Sequence, residues 1–111
     1  MLDAFKSFEC LAREVALDSF ARDSVRVFKA LGDPTRYEML CMLLREGTVS
    51  SGRFQEVFRL SAPTLSHHAK VLEGVGLVES IRERQSVIYR VNRDRLRQFL
   101  PGFERVHAVG E

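Results

Sequence analysis

Between Leu72 and Val87 the hydrophobic pattern of the chain changes period, and the order this imposes is helices first, then a hairpin, then a final helix. Leu65, Ala69, Leu72 and Val75 form one stripe at helical spacing. Ser61 can cap that helix, with Pro63 in the first turn where its missing N–H is not needed. Gly74 and Gly76 end it. Beyond them Val87, Tyr89 and Val91 alternate with Ile88 and Arg90, so residues 77–82 and 87–91 read as two strands. The link between them, Glu83-Arg84-Gln85-Ser86, is short and wholly polar.

Upstream, the strongest start signal is Asp33 as N-cap with Pro34 at the first helical position. Tyr37, Leu40, Cys41 and Leu44 follow on one face, and Gly47 stops the helix. Residues 48–52 read as a loop or cap, and Phe54, Val57 and Phe58 as a short helix reaching about Arg59. Two earlier stripes, Phe5, Phe8, Ala12 and Val15, then Phe20, Val27, Phe28 and Leu31, predict helices over 3–17 and 20–31. Gly32 is placed as the glycine just past the second of these. Asn92 caps a last helix carrying Leu96, Phe99 and Leu100, which Pro101-Gly102 should break or kink before residues 103–108.

A chain of 111 residues has room for one domain, and 45% apolar residues suffice for its core. The longest clear apolar run, residues 39–44, falls far short of the roughly 20 residues of a membrane span. The first ten residues carry no basic and apolar export leader. Two cysteines cannot build a disulfide framework or a structural zinc cluster. A cytoplasmic protein in a reducing compartment, with no cofactor and no membrane partner, is expected. No phosphate-binding glycine loop, HExxH or GxSxG motif is present, so an enzyme is not expected.

The net charge of +2 is unevenly spread. Residues 61–100 hold seven Lys/Arg against four Asp/Glu, and the rest of the chain has no excess of base. A local basic surface suits a polyanion. Two short helices joined at residues 59–62 and followed by a basic hairpin are the parts of a winged helix-turn-helix. The fold class expected is mainly α with a small β-hairpin (α+β), one domain over 1–111 with the helix-turn-helix at 51–74 and the wing at 77–91. On the second helix Thr64, His67 and Lys70 share an exposed face, with Ser66 at its edge, opposite Leu65, Ala69 and Leu72. About twelve residues give roughly 18 Å of helix, which fits a major groove about 12 Å wide. Ser61, Thr64 and Ser66 can bond base edges or phosphates, Lys70 phosphate or guanine, and Ala62 or Pro63 can touch a thymine methyl. His67 is read as facing DNA and His68 as half-buried support able to reach a phosphate. Arg82 and Arg84 offer phosphate or minor-groove contacts at the hairpin tip, where Gln85 and Ser86 can donate to the backbone. The plainer reading of all these residues is a solvated polar surface.

The segments ALGDPTRYEMLCMLL, LSAPTLSHHAKVLEGVGLVES and VIYRVN resemble the ArsR/SmtB family of bacterial transcriptional repressors. The resemblance covers about residues 22–100 and is most specific over 61–78. It implies a winged-helix homodimer, joined through the N-terminal (1–19) and C-terminal (93–108) helices, that occupies a palindromic double-stranded DNA operator and leaves it when an inducer binds. The family's hairpin usually turns through a glycine where this chain has Arg84, so a longer or differently twisted wing is expected.

The family's inducer sites are only partly matched. Its Cys-x-Cys metal pair falls near Ser50 and Gly52, so that site is absent. Its last-helix metal ligands fall on Asp94, Leu96, His107 and Gly110, of which Asp94 and His107 match; a capping carboxylate and a surface histidine are the plainer accounts. No metal site is expected. Its redox branch pairs two cysteines: Cys41 matches the first, and no cysteine stands near Val106 or His107 for the second. Cys10 could replace it only within disulfide reach of Cys41, and a buried inert thiol is the plainer account of Cys41. The inducer is left open among a metal, an oxidant, a small organic ligand and none; Phe5, Phe8, Phe99 and Phe103 could line an apolar pocket or simply pack. The alternative function is a winged-helix module that binds protein rather than an operator.

Overall fold

The computed structural model describes residues 18–107, and the predicted helix over 3–17, Cys10, Phe5 and Phe8 lie outside that range. The elements in chain order are α1 (Ser19–Leu31), α2 (Pro34–Glu46), β1 (Thr48–Ser50), α3 (Ser51–Phe58), α4 (Ala62–Gly74), β2 (Val78–Glu83), β3 (Ser86–Val91), α5 (Arg93–Phe99) and α6 (Phe103–His107). The antiparallel sheet has order β1-β3-β2, with Val49 opposite Tyr89 and Ile81 opposite Ile88.

The helix boundaries follow the predicted caps. Asp33 accepts from the Arg36 amide at 3.0 Å, Ser61 from Thr64 and Asn92 from Arg95, so each side chain satisfies an otherwise orphaned N–H. Gly32 is a correction. It adopts an ordinary right-handed φ of −72°, so no glycine freedom is used there. The stop comes instead from Pro34, whose ring disfavours helical geometry at Asp33, which is extended at ψ 129°.

Residues 48–50 are a second correction, being the edge strand β1 rather than a loop. Val49 is buried at its centre, and its backbone pairing with β3 is not visible in three residues of sequence. The wing is a third. It is shorter than expected: Glu83 pairs with Ser86, leaving a two-residue turn in which Arg84 takes the left-handed φ of 54° that a glycine would take freely. The predicted break at Pro101-Gly102 is present, and it separates α5 from α6.

One core unites these elements, with Phe54, Met39, Leu40, Leu43, Leu72, Leu77, Leu96 and Val27 fully buried. Phe20 stacks on Phe99 at 5.0 Å, and Tyr37 meets Phe103 edge-on at 5.5 Å, so Phe99 and Phe103 are engaged in packing. Among the described residues no helix is long and apolar enough to cross a membrane.

Candidate nucleic-acid interface

Helix α4 is held at both ends and along one side, which leaves the remaining side free. At its start Ser61 Oγ accepts from the Thr64 amide at 3.3 Å and donates its own proton to Thr64 Oγ1 at 3.0 Å. At its end the Gly76 amide donates to the Glu73 carbonyl and the Leu77 amide to the Leu72 carbonyl, at 2.9 and 3.1 Å. This pair of bonds needs a left-handed residue, and Gly76 supplies it at φ 81°. Leu65, Ala69 and Leu72 anchor the buried side. Ser61, Ala62, Pro63, Thr64, Ser66, His67 and Lys70 are all exposed on the other.

His68 alone of the α4 candidates turns inward, with 13% of its side chain exposed. Its Nδ1 lies 3.2 Å from Arg36 Nη1. A guanidinium can only donate, so Nδ1 accepts and the ring proton sits on Nε2. Burial pushes the His68 pKa down, against the pull of Asp33 and with the help of Arg36 and His67. The ring is neutral near pH 7.

The turn into α4 also carries a feature that sequence reasoning missed. Arg59 adopts φ 55°, and the Leu60 amide after it donates to the Gln55 carbonyl at 3.0 Å. Arg59 is exposed and basic at the joint of the helix-turn-helix. Its place between the two helices was the available signal.

In the wing Arg82, Arg84, Gln85 and Ser86 are exposed. Arg90 is paired with Glu79 at 3.0 Å, whereas Arg82 and Arg84 have no ion pair among the described residues. Ser80 Oγ donates to Glu73 at 3.1 Å, which ties β2 to α4. Helix α4 and the hairpin are therefore cross-linked on one body.

The candidate inducer residues are not gathered. Asp94 is fully exposed, His107 Nε2 is 2.7 Å from the Tyr37 hydroxyl, and no three His, Cys, Asp or Glu among the described residues could share a metal ion. Cys41 is 8% exposed, and burial pushes its thiol pKa up, away from the reactive thiolate.

A helix-turn-helix, a two-stranded wing and an exposed polar helix face define a winged helix-turn-helix DNA-binding regulator. A family model for a helix-turn-helix domain matches residues 31–81. The transcriptional repressor SdpR of Bacillus subtilis is 38% identical over 66 residues, 60% of this chain and 72% of that protein. HlyU from Vibrio cholerae has a TM-score of 0.65 at 28% identity, covering 81% of this chain and 97% of that one. A homodimeric winged helix-turn-helix DNA-binding domain from Mycobacterium bovis, described as a possible ArsR-family regulator, has a TM-score of 0.63 at 29% identity, covering 73% and 75%. The chain belongs to the ArsR/SmtB family of transcriptional regulators, which are DNA-binding proteins and not enzymes.

Proposed function

We propose that the protein is a homodimeric, cytoplasmic repressor that occupies a palindromic operator and is released by an inducer. The observation that carries this reading is the exposed Ser61, Thr64, Ser66, His67 and Lys70 face of α4 beside a wing whose Arg82 and Arg84 lack acidic partners among the described residues. Each protomer sets α4 in a major groove, with Thr64 and His67 at base edges and Lys70 on phosphate or guanine. Arg82, Arg84 and Gln85 hold the flanking backbone or minor groove, Ser61 binds phosphate at the helix start, and His68 serves as support from behind.

The dimer forms through residues 1–19 and 93–108. In support, Val106 of α6 is 73% exposed, and in α1, directly after the N-terminal segment, Phe20, Val25 and Phe28 are 49%, 50% and 57% exposed, apolar side chains that a second copy would cover. The Mycobacterium bovis domain is itself homodimeric. Two copies of the helix-turn-helix related by a twofold axis read half-sites one helical turn apart. Among inducers, burial of Cys41 weighs against a thiol acting alone, and a redox role requires Cys10 as its partner.

The test is fluorescence anisotropy with the duplex upstream of the protein's own gene and a random duplex, each in a salt series. Thr64→Ala or His67→Ala should cost about 1–3 kcal/mol on the operator and little on random DNA. Arg84→Ala should weaken both and lower the salt slope by about two, one phosphate contact from each protomer. Equal loss on both duplexes for Thr64→Ala removes its base-reading role. A bound protein partner insensitive to salt and to Lys70→Ala would favour the protein-binding module instead.

A further inference from the structure

Arg36 stands at the meeting of three elements and is not part of the exposed face. Its Nε donates to the Ala30 carbonyl at 2.6 Å, near the end of α1. Its backbone amide donates to Asp33, the N-cap of its own helix, at 3.0 Å. Its Nη1 donates to His68 Nδ1 on α4 at 3.2 Å, bridging 32 residues of sequence. Asp33 Oδ2 is 3.9 Å from the same ring nitrogen. The guanidinium is thus fixed at one edge by a helix-end carbonyl and presents its other edge to the recognition helix.

We propose that Arg36 is a positioning residue for DNA recognition: through His68 Nδ1 it sets the rotation of α4 about its axis relative to the end of α1. This rests on the reading of α4 as the recognition helix. His68 follows His67 directly and lies four residues after Thr64, so a turn of α4 that frees the His68 ring also moves both side chains proposed to meet base edges. The buried stripe of Leu65, Ala69 and Leu72 holds the helix to the core through apolar contacts, which carry no donor–acceptor geometry of their own. A charge-assisted hydrogen bond is directional, and it is the polar bond from α2 to the inward side of α4. The coupling also links α4 to α1, which carries the exposed apolar side chains Val25 and Phe28.

The test compares Arg36→Met, His68→Leu, His68→Asn and the Arg36→Met/His68→Leu double variant in the full chain. Each is titrated against an operator duplex and a random duplex, with its thermal midpoint recorded. Asparagine places an acceptor oxygen near the Nδ1 position, whereas leucine fills the space and accepts nothing. The expected result is a loss of about tenfold in the operator-to-random ratio for Arg36→Met and for His68→Leu. His68→Asn should recover most of that ratio, and the double variant should lose no more than either single one. Purely structural damage would lower the thermal midpoint without this pattern. Additive losses, or equal loss for His68→Asn and His68→Leu, would overturn the proposal. If Arg36→Met does not fold, the two His68 variants decide the matter by the same criterion. A wild-type ratio of one would instead refute the operator reading. The nitrogen spectrum of the His68 ring in the free protein then decides the positioning: an unprotonated Nδ1 that shifts in Arg36→Met supports it, and a ring protonated at Nδ1 overturns it.

Discussion

Replacing Gly76 by alanine should damage the joint between α4 and β2, and the structure allows its cost to be worked through. The backbone there has φ 81°, a conformation that costs an L-residue about 1–2 kcal/mol. An added Cβ would lie 2.9 Å from Arg95 Nε, closer than atoms can pack, with its Cδ at the contact distance of 3.4 Å. The Arg95 side chain would have to swing aside. It would give up its hydrogen bond to the Val75 carbonyl, worth about 1 kcal/mol, and its place 4.7 Å above the Phe99 ring, worth about 0.5–1 kcal/mol. Its partly exposed pair with Asp23 at 3.6 Å adds little. Alanine also restricts the unfolded chain, which offsets about 0.4–1 kcal/mol. The net destabilisation is about 2–3 kcal/mol, read by urea denaturation, and the thermal midpoint should fall by about 10–20 °C for a domain of this size. Because part of the loss passes through Arg95, Gly76→Ala should cost only about 1 kcal/mol in an Arg95→Ala background. An effect below about 0.5 kcal/mol, or equal effects in the two backgrounds, would refute the reasoning.

Other consequences are equally measurable. Tyr37→Phe removes the hydroxyl 2.7 Å from His107 and should cost about 0.5–1.5 kcal/mol, with faster amide exchange confined largely to α6; unchanged exchange in α6 would show that Phe103 alone docks it. His68 has a folded pKa below the ordinary 6.5, so its neutral ring contributes stability that is whole above about pH 6.5 and declines as the pH falls through that value toward the folded pKa. Asp33, Arg36 and His67 face the ring, and His68→Asn should flatten this part of the stability profile; an unchanged profile would assign it elsewhere. Cys41 should react with iodoacetamide at least about tenfold slower in the folded protein than in urea, and equal rates would contradict its burial.

What could be read from the residues and what could not divide along physical lines. Caps and periods are local. Asp33-Pro34, Ser61 with Pro63, and Asn92 each act on an N–H within three residues, so their helices were legible, as was the switch to alternating residues in β3. The outward placement of Thr64, His67 and Lys70 followed from helical geometry once Leu65, Ala69 and Leu72 were assigned inward. Strand β1 was not legible, because its three residues gain strand geometry only from pairing with β3, some forty residues away. Arg59 and Arg84 take left-handed backbones that arginine does not favour, and only the surrounding chain imposes them. The bond between Arg36 and His68 depends on how α2 and α4 pack, which no local pattern records.

The most direct test of the account is selection of binding sites by the wild-type protein from a library of random duplexes, at near-physiological salt. An enriched motif with twofold symmetry, its half-sites centred about 10–10.5 base pairs apart or a multiple of that, is the expected outcome for a dimer placing two α4 helices in successive major grooves. Enrichment of no sequence, with binding that follows only salt concentration, would contradict the assignment of the Thr64, His67 and Lys70 face as a reader of bases.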